Sequence, residues 1–206
     1  MAKYPNLTAQ QNEDTVNKAG GMEGLQRFLS GELVLIERSK LNQDADVRRW
    51  IKIDENTIAV DLESGPRLQF AGAEVEQHTG VGGAIFQKRA DDLYRNGRKV
   101  VLRLSERQMN GKSLKGYELR DELIGKPVLN ANELDALYDN PHLLPEDWKK
   151  DEKGNIRFVF LLGTIYCSLD GRLCARCIYF DGRSWNLDYR WLGRVWNGDD
   201  SAAVAS

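Results

Sequence analysis

The chain has 206 residues, which is enough for one sizeable core or for a small module joined to a larger one. Apolar residues make up 41% and charged residues 29%, a balance typical of globular proteins and not of disordered chains. The 29 basic and 31 acidic residues give a net charge of -2, which argues against nucleic acid as a partner because nucleic-acid binders favour a basic excess.

The sequence carries no obvious targeting signal. The N-terminus lacks the apolar run of a signal peptide, and the longest apolar run, residues 158–162, is far too short to span a membrane. Three cysteines are too few for the disulfide framework of a secreted domain. We therefore expect a cytoplasmic protein with no membrane partner.

Residues 1–40 are predicted to form an N-terminal helical hairpin. Thr8 and Gln11 match a capping box at the start of a polar helix, and a pair of glycines ends that helix. A second helix over residues 22–30 carries its apolar residues on one face. The hairpin therefore has one apolar side.

The central region, residues 41–148, is predicted to be α+β with β-hairpins. Apolar and polar residues alternate over 50–53 and 58–62, which indicates two antiparallel strands. A stronger hairpin signal follows at Asn96 and Gly97, because both residues tolerate the positive φ of a tight turn between strands.

Two helices are expected in the second half of this central region. Residues 114–124 offer several apolar side chains for burial before a glycine and a proline. Asn130 is a suitable N-cap for a helix that reaches Tyr138, with the acidic Glu133 at its third position. Pro141 then ends that helix.

Residues 149–196 are predicted to form an aromatic-rich, three-stranded antiparallel β-meander. Its strands cover 156–167, 173–180 and 184–192, joined by Asp-Gly turns. The final residues, 197–206, are small and polar, so a flexible tail is expected there. We therefore predict an α+β protein with an N-terminal helical hairpin, a central α+β region with β-hairpins, and this C-terminal three-stranded meander.

Several stretches carry a resemblance to known sequences: residues 8–21, 125–131, 144–148, 163–166 and the tryptophan-rich end, 185–204. They are similar to parts of uncharacterised bacterial proteins from candidate-phylum lineages, a group with no established function. The resemblance covers half of the chain and implies a bacterial, modular origin, but no catalytic residue. Here Leu162 and its two predecessors precede Gly163, where those proteins tend to carry a tryptophan.

The three cysteines include a Cys-x-x-Cys pair, Cys174 and Cys177, with Cys167 nearby. A zinc site needs four ligands on a tight turn, whereas this pair lies within a predicted strand. Residues three apart on a strand point to opposite faces, and neither histidine is close in sequence. We therefore interpret the cysteines as small buried apolar residues and expect no metal or other cofactor.

Aromatic residues near the C-terminus are the strongest candidates for a binding site. Trp185, Tyr189, Trp191 and Trp196 could bind a ligand by stacking. Because the first three share one apolar face of a predicted strand, a buried core stripe is the favoured explanation for them, and an exposed binding stripe is the alternative. We therefore predict a non-catalytic binding or interaction module, whose partner could be another protein.

Two other functions stay open at this point. A cofactor-independent enzyme would place its site near the glycine-rich passage 78–84, beside His78. A nucleic-acid-binding accessory protein would use Lys88, Arg89 and the basic side chains of residues 95–103. No motif for a nucleophile or a metal site supports the first function, and the charge balance argues against the second.

Overall fold

The computed structural model describes residues 49–68 and 73–206. All of them belong to one compact unit that spans Leu41–Ser206. The helical hairpin predicted for residues 1–40 lies outside the described residues.

Strands dominate the described residues. In chain order they are β1 (Trp50–Asp54), β2 (Thr57–Asp61), β3 (Glu74–His78), β4 (Gly83–Arg89), β5 (Asp92–Arg95), β6 (Arg98–Arg103), β7 (Leu114–Lys115), β8 (Phe158–Phe160), β9 (Thr164–Cys167), β10 (Leu173–Phe180), β11 (Trp185–Trp191), β12 (Val195–Trp196) and β13 (Asp200–Ala205). The helices are α1 (Glu106–Met109), α2 (Gly116–Glu122) and α3 (Ala131–Asp139), followed by 3₁₀ turns at Pro141–Leu143 and Glu146–Trp148.

Eleven of these strands form one mixed sheet in the order β1-β2-β4-β5-β6-β13-β8-β10-β9-β3. The remaining member, β11, pairs with β10 along one edge, while β8 and β9 pair in succession with the other edge of β10. The pairing between β13 and β8 is parallel, and the others are antiparallel. A separate two-stranded sheet joins β7 and β12.

The predicted fold class is wrong, because the described residues form one large sheet and not an α+β assembly with a small separate meander. The predicted meander strands belong to that sheet, and the expected strand over 156–167 is divided into β8 and β9. Where a flexible tail was expected, β13 pairs with both β6 and β8. Its small residues Ala202 and Ala203 are completely buried, because the sheet is covered on both faces there.

The two predicted hairpins of the central region are confirmed. Strands β1 and β2 pair antiparallel, and Arg95 of β5 pairs with Arg98 of β6 across a two-residue turn. At that turn Asn96 has φ 49° and Gly97 has φ 75°, the left-handed conformation that this residue pair adopts at low cost. Local turn chemistry therefore determines this part of the sheet.

One of the two predicted helices begins later than expected, and the other begins where it was predicted. Leu114 and Lys115 form β7, and α2 starts only at Gly116, where an added Cβ would lie 2.6 Å from Cε2 of Trp196. Helix α3 begins as predicted, because Oδ1 of its N-cap Asn130 accepts hydrogen bonds from the backbone N–H groups of Asn132 and Glu133.

The sheet is packed on two faces. We call the face that carries Val159 and Ile178 the inner face, and it packs against Leu134 and Leu137 of α3. The outer face is covered by α2, β7 and β12, where Trp196 lies in a second cluster. Helix α3 contacts β2 near one end of the strand order and both β10 and β11 near the other, so the sheet curves around it.

Candidate functional site

His78 lies in β3, at one end of the strand order, and contacts the residue that follows β2, near the other end. Its Nε2 atom lies 2.9 Å from the carbonyl oxygen of Leu62, which follows β2, and its Nδ1 atom lies 2.7 Å from Oγ1 of Thr164 in β9. A carbonyl oxygen only accepts, so Nε2 carries the proton and Nδ1 accepts from the Thr164 hydroxyl. The same hydroxyl oxygen accepts from the backbone N–H of Ala131 at 3.0 Å, which ties α3 to this point.

The surroundings of His78 favour its neutral form. Burial lowers the pKa of the His78 imidazole; Arg49 acts in the same direction, while the Leu62 carbonyl and Asp61 oppose it. Because both ring nitrogens are bound to protein groups, the ring is not free to take a proton from a substrate. His78 therefore has a structural role in closing the sheet.

A buried network fixes the N-terminus of α3. The side chain of Asn130 donates to the carbonyl oxygen of Thr79 at 2.6 Å, and its backbone N–H donates to Oε2 of Glu133 at 2.7 Å. Oε1 of Glu133 lies 2.5 Å from Nε of Arg95, and the Glu133 side chain is 0% exposed. Burial raises the pKa of the Glu133 carboxyl, and Arg95 opposes this effect. The network therefore orients the Arg95 guanidinium.

A cleft of about 820 Å³ opens beside this network. It lies where the loop between β3 and β4, the β5–β6 turn and the connector between α2 and α3 come together. The glycine-rich passage contributes Thr79, Gly80, Val81 and Gly83 to the lining. Binding sites for small molecules commonly have volumes of about 300–1,000 Å³, so the cleft has a suitable size.

Four basic side chains line the cleft: Arg95, Arg98, Arg120 and Lys126. No aspartate or glutamate occurs among the described residues of its lining. Within residues 49–68 and 73–206, only Arg95 of these four is in an ion pair. Arg120 donates from Nη2 to Oε1 of Gln77 in β3 at 2.8 Å, so a neutral group positions it. The cleft therefore has uncompensated positive charge.

The predicted aromatic residues are not brought together. The inner face of β11 carries Trp185, Tyr189 and Trp191, as predicted. Trp196, in contrast, is completely buried under the outer face of the sheet, where its ring stacks on that of Phe160 with 3.9 Å between the ring centroids. Trp185 packs against the main core, whereas Tyr189 is 42% and Trp191 39% exposed. None of these four lines the cleft, and a ligand-binding role for Tyr189 and Trp191 stays a prediction.

Trp191, one of the two exposed aromatic residues of β11, already contacts a charged side chain of the same chain. The guanidinium of Arg172 lies 3.9 Å from the ring centroid of Trp191. A cation over an aromatic face contributes about 0.5–1 kcal/mol at an exposed site. The Trp191 ring is therefore partly covered by a charge from within the chain.

Cys174 and Cys177 lie on opposite faces of β10 and are buried as expected, whereas Cys167 ends β9 and is only partly buried. Cys177 belongs to the cluster on the outer face, whereas Cys174 faces inwards with Tyr166 and Ala131. Burial raises the pKa of the Cys174 thiol to about 11 and raises that of Cys177 as well. No group of three or more potential metal ligands occurs in the part of the chain that the structure describes.

Two basic side chains considered for nucleic-acid binding, Lys88 and Arg89, contact other groups of the chain. Lys88 donates from Nζ to the carbonyl oxygens of His142 and Leu144, at 2.9 and 3.1 Å. The guanidinium of Arg89 lies over the ring of Tyr94. Lys88 and Arg89 are therefore engaged in contacts within the chain, whereas Arg98 of the same run is exposed.

The charged residues of the cleft were not predicted from the sequence, apart from the basic run that contains Arg95 and Arg98. Arg120 and Lys126 lie in a different part of the chain, and Gln77 in a third. No local motif connects these segments, because only the closure of the sheet places them around one space. The sequence signals for this site were that basic run and the glycine-rich passage 78–84.

No protein family, curated protein or solved structure matches this chain. Within the described residues, the helices are all too short or too polar to cross a lipid bilayer.

Proposed function

We propose that the protein is a non-catalytic binding module that holds an anionic ligand in this cleft. The observation that carries the proposal is the lining, which has four basic side chains, of which one is in an ion pair, and no described carboxylate. A basic cleft with partly apolar walls concentrates anions, because the local dielectric is lower than that of water.

Two of the four basic groups are positioned before any ligand arrives. Arg95 is held through Glu133, and Arg120 through Gln77. A guanidinium with a fixed orientation loses little freedom on binding and matches the paired oxygens of a phosphate or carboxylate. Arg98 and Lys126 are exposed, so they can adjust to the ligand.

The chemistry of the site supports binding more than catalysis. Both nitrogens of His78 are bound to Leu62 and Thr164. The hydroxyl of Thr79, which lines the cleft, donates to the carbonyl oxygen of Gly163 at 3.0 Å. Neither group is therefore free to act as a base or a nucleophile, and the basic groups are suited to hold charge.

Calorimetric titration of the untagged protein with inorganic phosphate, pyrophosphate and citrate at low ionic strength tests the proposal. At least one of these anions should bind, and added salt should weaken the binding because the contacts are ionic. Arg120→Gln should weaken it by about 10-fold to 100-fold, the range for one lost hydrogen bond to a charged group.

Arg183→Gln is the matched control, because Arg183 is exposed and does not line the cleft. Its affinity for the same anions should equal that of the unmodified protein. The proposal is wrong if no anion binds, or if the two substitutions weaken binding equally.

A further inference from the structure

The basic cleft also has an apolar part that inorganic anions would not use. Its apolar lining includes Leu62, Val81, Leu123, Ile124 and Leu162. Leu62 and Leu162 are buried, at 3% and 2% exposure. An inorganic anion needs none of these contacts, so the apolar lining points to a ligand with an apolar portion.

Two of these apolar residues are unusually exposed. Ile124 is 75% and Val81 86% exposed, and they come from two different segments, the α2–α3 connector and the β3–β4 loop. Single exposed apolar residues are common on protein surfaces and need no explanation. Here both belong to the lining of one cleft, together with buried apolar residues, and a ligand placed there would cover them.

The loop that carries Val81 is anchored to the core. An added Cβ at Gly80 would lie 2.8 Å from Nδ2 of Asn130 and 2.9 Å from Cβ of Leu62, so the loop backbone packs closely on both residues. The backbone N–H of Gly82 donates to Oε1 of Glu63 at 2.7 Å. Val81 is therefore presented by a fixed backbone, which lowers the entropic cost of covering it.

We infer that the ligand is a small amphipathic anion, with a phosphate or carboxylate head on an apolar ring or short hydrocarbon chain. This inference rests on the proposed function, since the head would be bound by the basic groups. Arg120 and Lys126 would contact the head, and Ile124 and Val81 would contact the apolar body. Burial of these apolar side chains against the ligand would strengthen its binding.

Three matched probes test the apolar part separately from the charge. Phenyl phosphate carries an apolar body, glycerol phosphate carries a polar body of comparable size, and inorganic phosphate carries none. By calorimetry, phenyl phosphate should bind at least about 10-fold more tightly than the other two, which corresponds to about 1.4 kcal/mol. Ile124→Ser should reduce the affinity for phenyl phosphate several-fold and leave that for inorganic phosphate unchanged.

Ile156→Ser is the control for the apolar substitution, because Ile156 is also partly exposed, at 37%, and lies outside the cleft lining. It should leave all three affinities unchanged. Equal binding of phenyl phosphate and inorganic phosphate would overturn this inference and leave the proposed function intact. An equal loss for both probes in Ile124→Ser would also overturn it. Absence of binding by every probe would overturn both.

Discussion

The Nε atom of Arg95 lies 2.5 Å from Oε1 of Glu133, a carboxylate on α3 whose side chain has no exposed surface. The two residues are 38 positions apart in the sequence. Their contact joins the β5–β6 hairpin to the N-terminus of the helix that the sheet surrounds. Because Arg95 also lines the cleft, this ion pair connects the stability of the fold to the charge of the candidate site.

Replacing Glu133 with glutamine should lower the free energy of unfolding by about 2–4 kcal/mol, because it leaves a largely buried guanidinium without its counter-charge. Urea denaturation of Glu133→Gln, Arg95→Gln and the double variant measures the coupling between the two side chains. We expect a coupling of at least about 1 kcal/mol, as is usual for groups in direct contact.

The exposed pair of Lys99 and Asp92 provides the control for this experiment. Its charged atoms are 2.7 Å apart, but the side chains are 47% and 46% exposed. Asp92→Asn should therefore change the free energy of unfolding by less than about 1 kcal/mol. A coupling energy near zero between Arg95 and Glu133 would contradict the structural role assigned to their contact.

The stability of the protein should decrease as the pH falls below 6.5, the ordinary pKa of histidine. The pKa of His78 is lowered in the folded state by burial, so between the two pKa values the unfolded state binds more protons. Acid therefore favours unfolding in this range, which lies above the titration of most carboxylates. Urea midpoints measured from about pH 7.5 to 5.5 report this slope.

His78→Gln should flatten that pH dependence, because the substituted side chain does not titrate. His142→Gln is the matched variant, because it removes the other histidine, whose Nε2 atom donates to the carbonyl oxygen of Glu55 at 2.9 Å on the surface. The slope should change more in His78→Gln than in this variant. An equal slope in His78→Gln would show that His78 is not the group responsible.

Gly163 is expected to tolerate no side chain. An added Cβ would lie 2.7 Å from Oγ1 of Thr79 and 2.8 Å from the carbonyl oxygen of Leu129. Gly163→Ala should therefore destabilise the protein by about 1–3 kcal/mol, the usual cost of overpacking. Gly65→Ala is the control, since nothing lies within 4 Å of its added Cβ, and its melting temperature should stay nearly unchanged. Equal melting temperatures for the two variants would contradict the packing described here.

Two of the aromatic residues should behave very differently on truncation. Trp196→Ala should cost about 3–5 kcal/mol, because Trp196 is completely buried and stacks on Phe160. Trp191→Ala should cost clearly less, because Trp191 is 39% exposed and its contact with Arg172 lies at the surface. Urea denaturation compares the two variants directly. A larger loss for Trp191 than for Trp196 would mean that the core is not arranged as described.

The parts of the fold that were predicted correctly depend on neighbouring residues. The turn at Asn96 and Gly97 follows from backbone conformations that these two residues adopt cheaply, and the start of α3 follows from the side chain of Asn130. Likewise, the alternation of apolar and polar residues over 50–53 and 58–62 predicts two paired strands that are neighbours in the sequence. Such signals do not require knowledge of the rest of the chain.

The errors came from long-range pairing. The residues of β13 are small and polar enough to resemble a tail, and only their partners in β6 and β8 give them a central position in the sheet. In the same way, Arg120 and Gln77 have no sequence relationship until β3 and α2 meet across the cleft. The glycine-rich passage indicated the neighbourhood of the site but not its charge.

The most direct test of the anion-binding cleft is a titration of the ¹⁵N-labelled protein with phenyl phosphate, followed by two-dimensional NMR. We predict that the largest amide shifts occur at Gly80, Gly83, Arg120 and Gly125, which all line the cleft. Saturable shifts at these residues, lost in Arg120→Gln, would support the assignment. Shifts concentrated instead on Trp191 and its neighbours, or spread evenly over the protein, would contradict it.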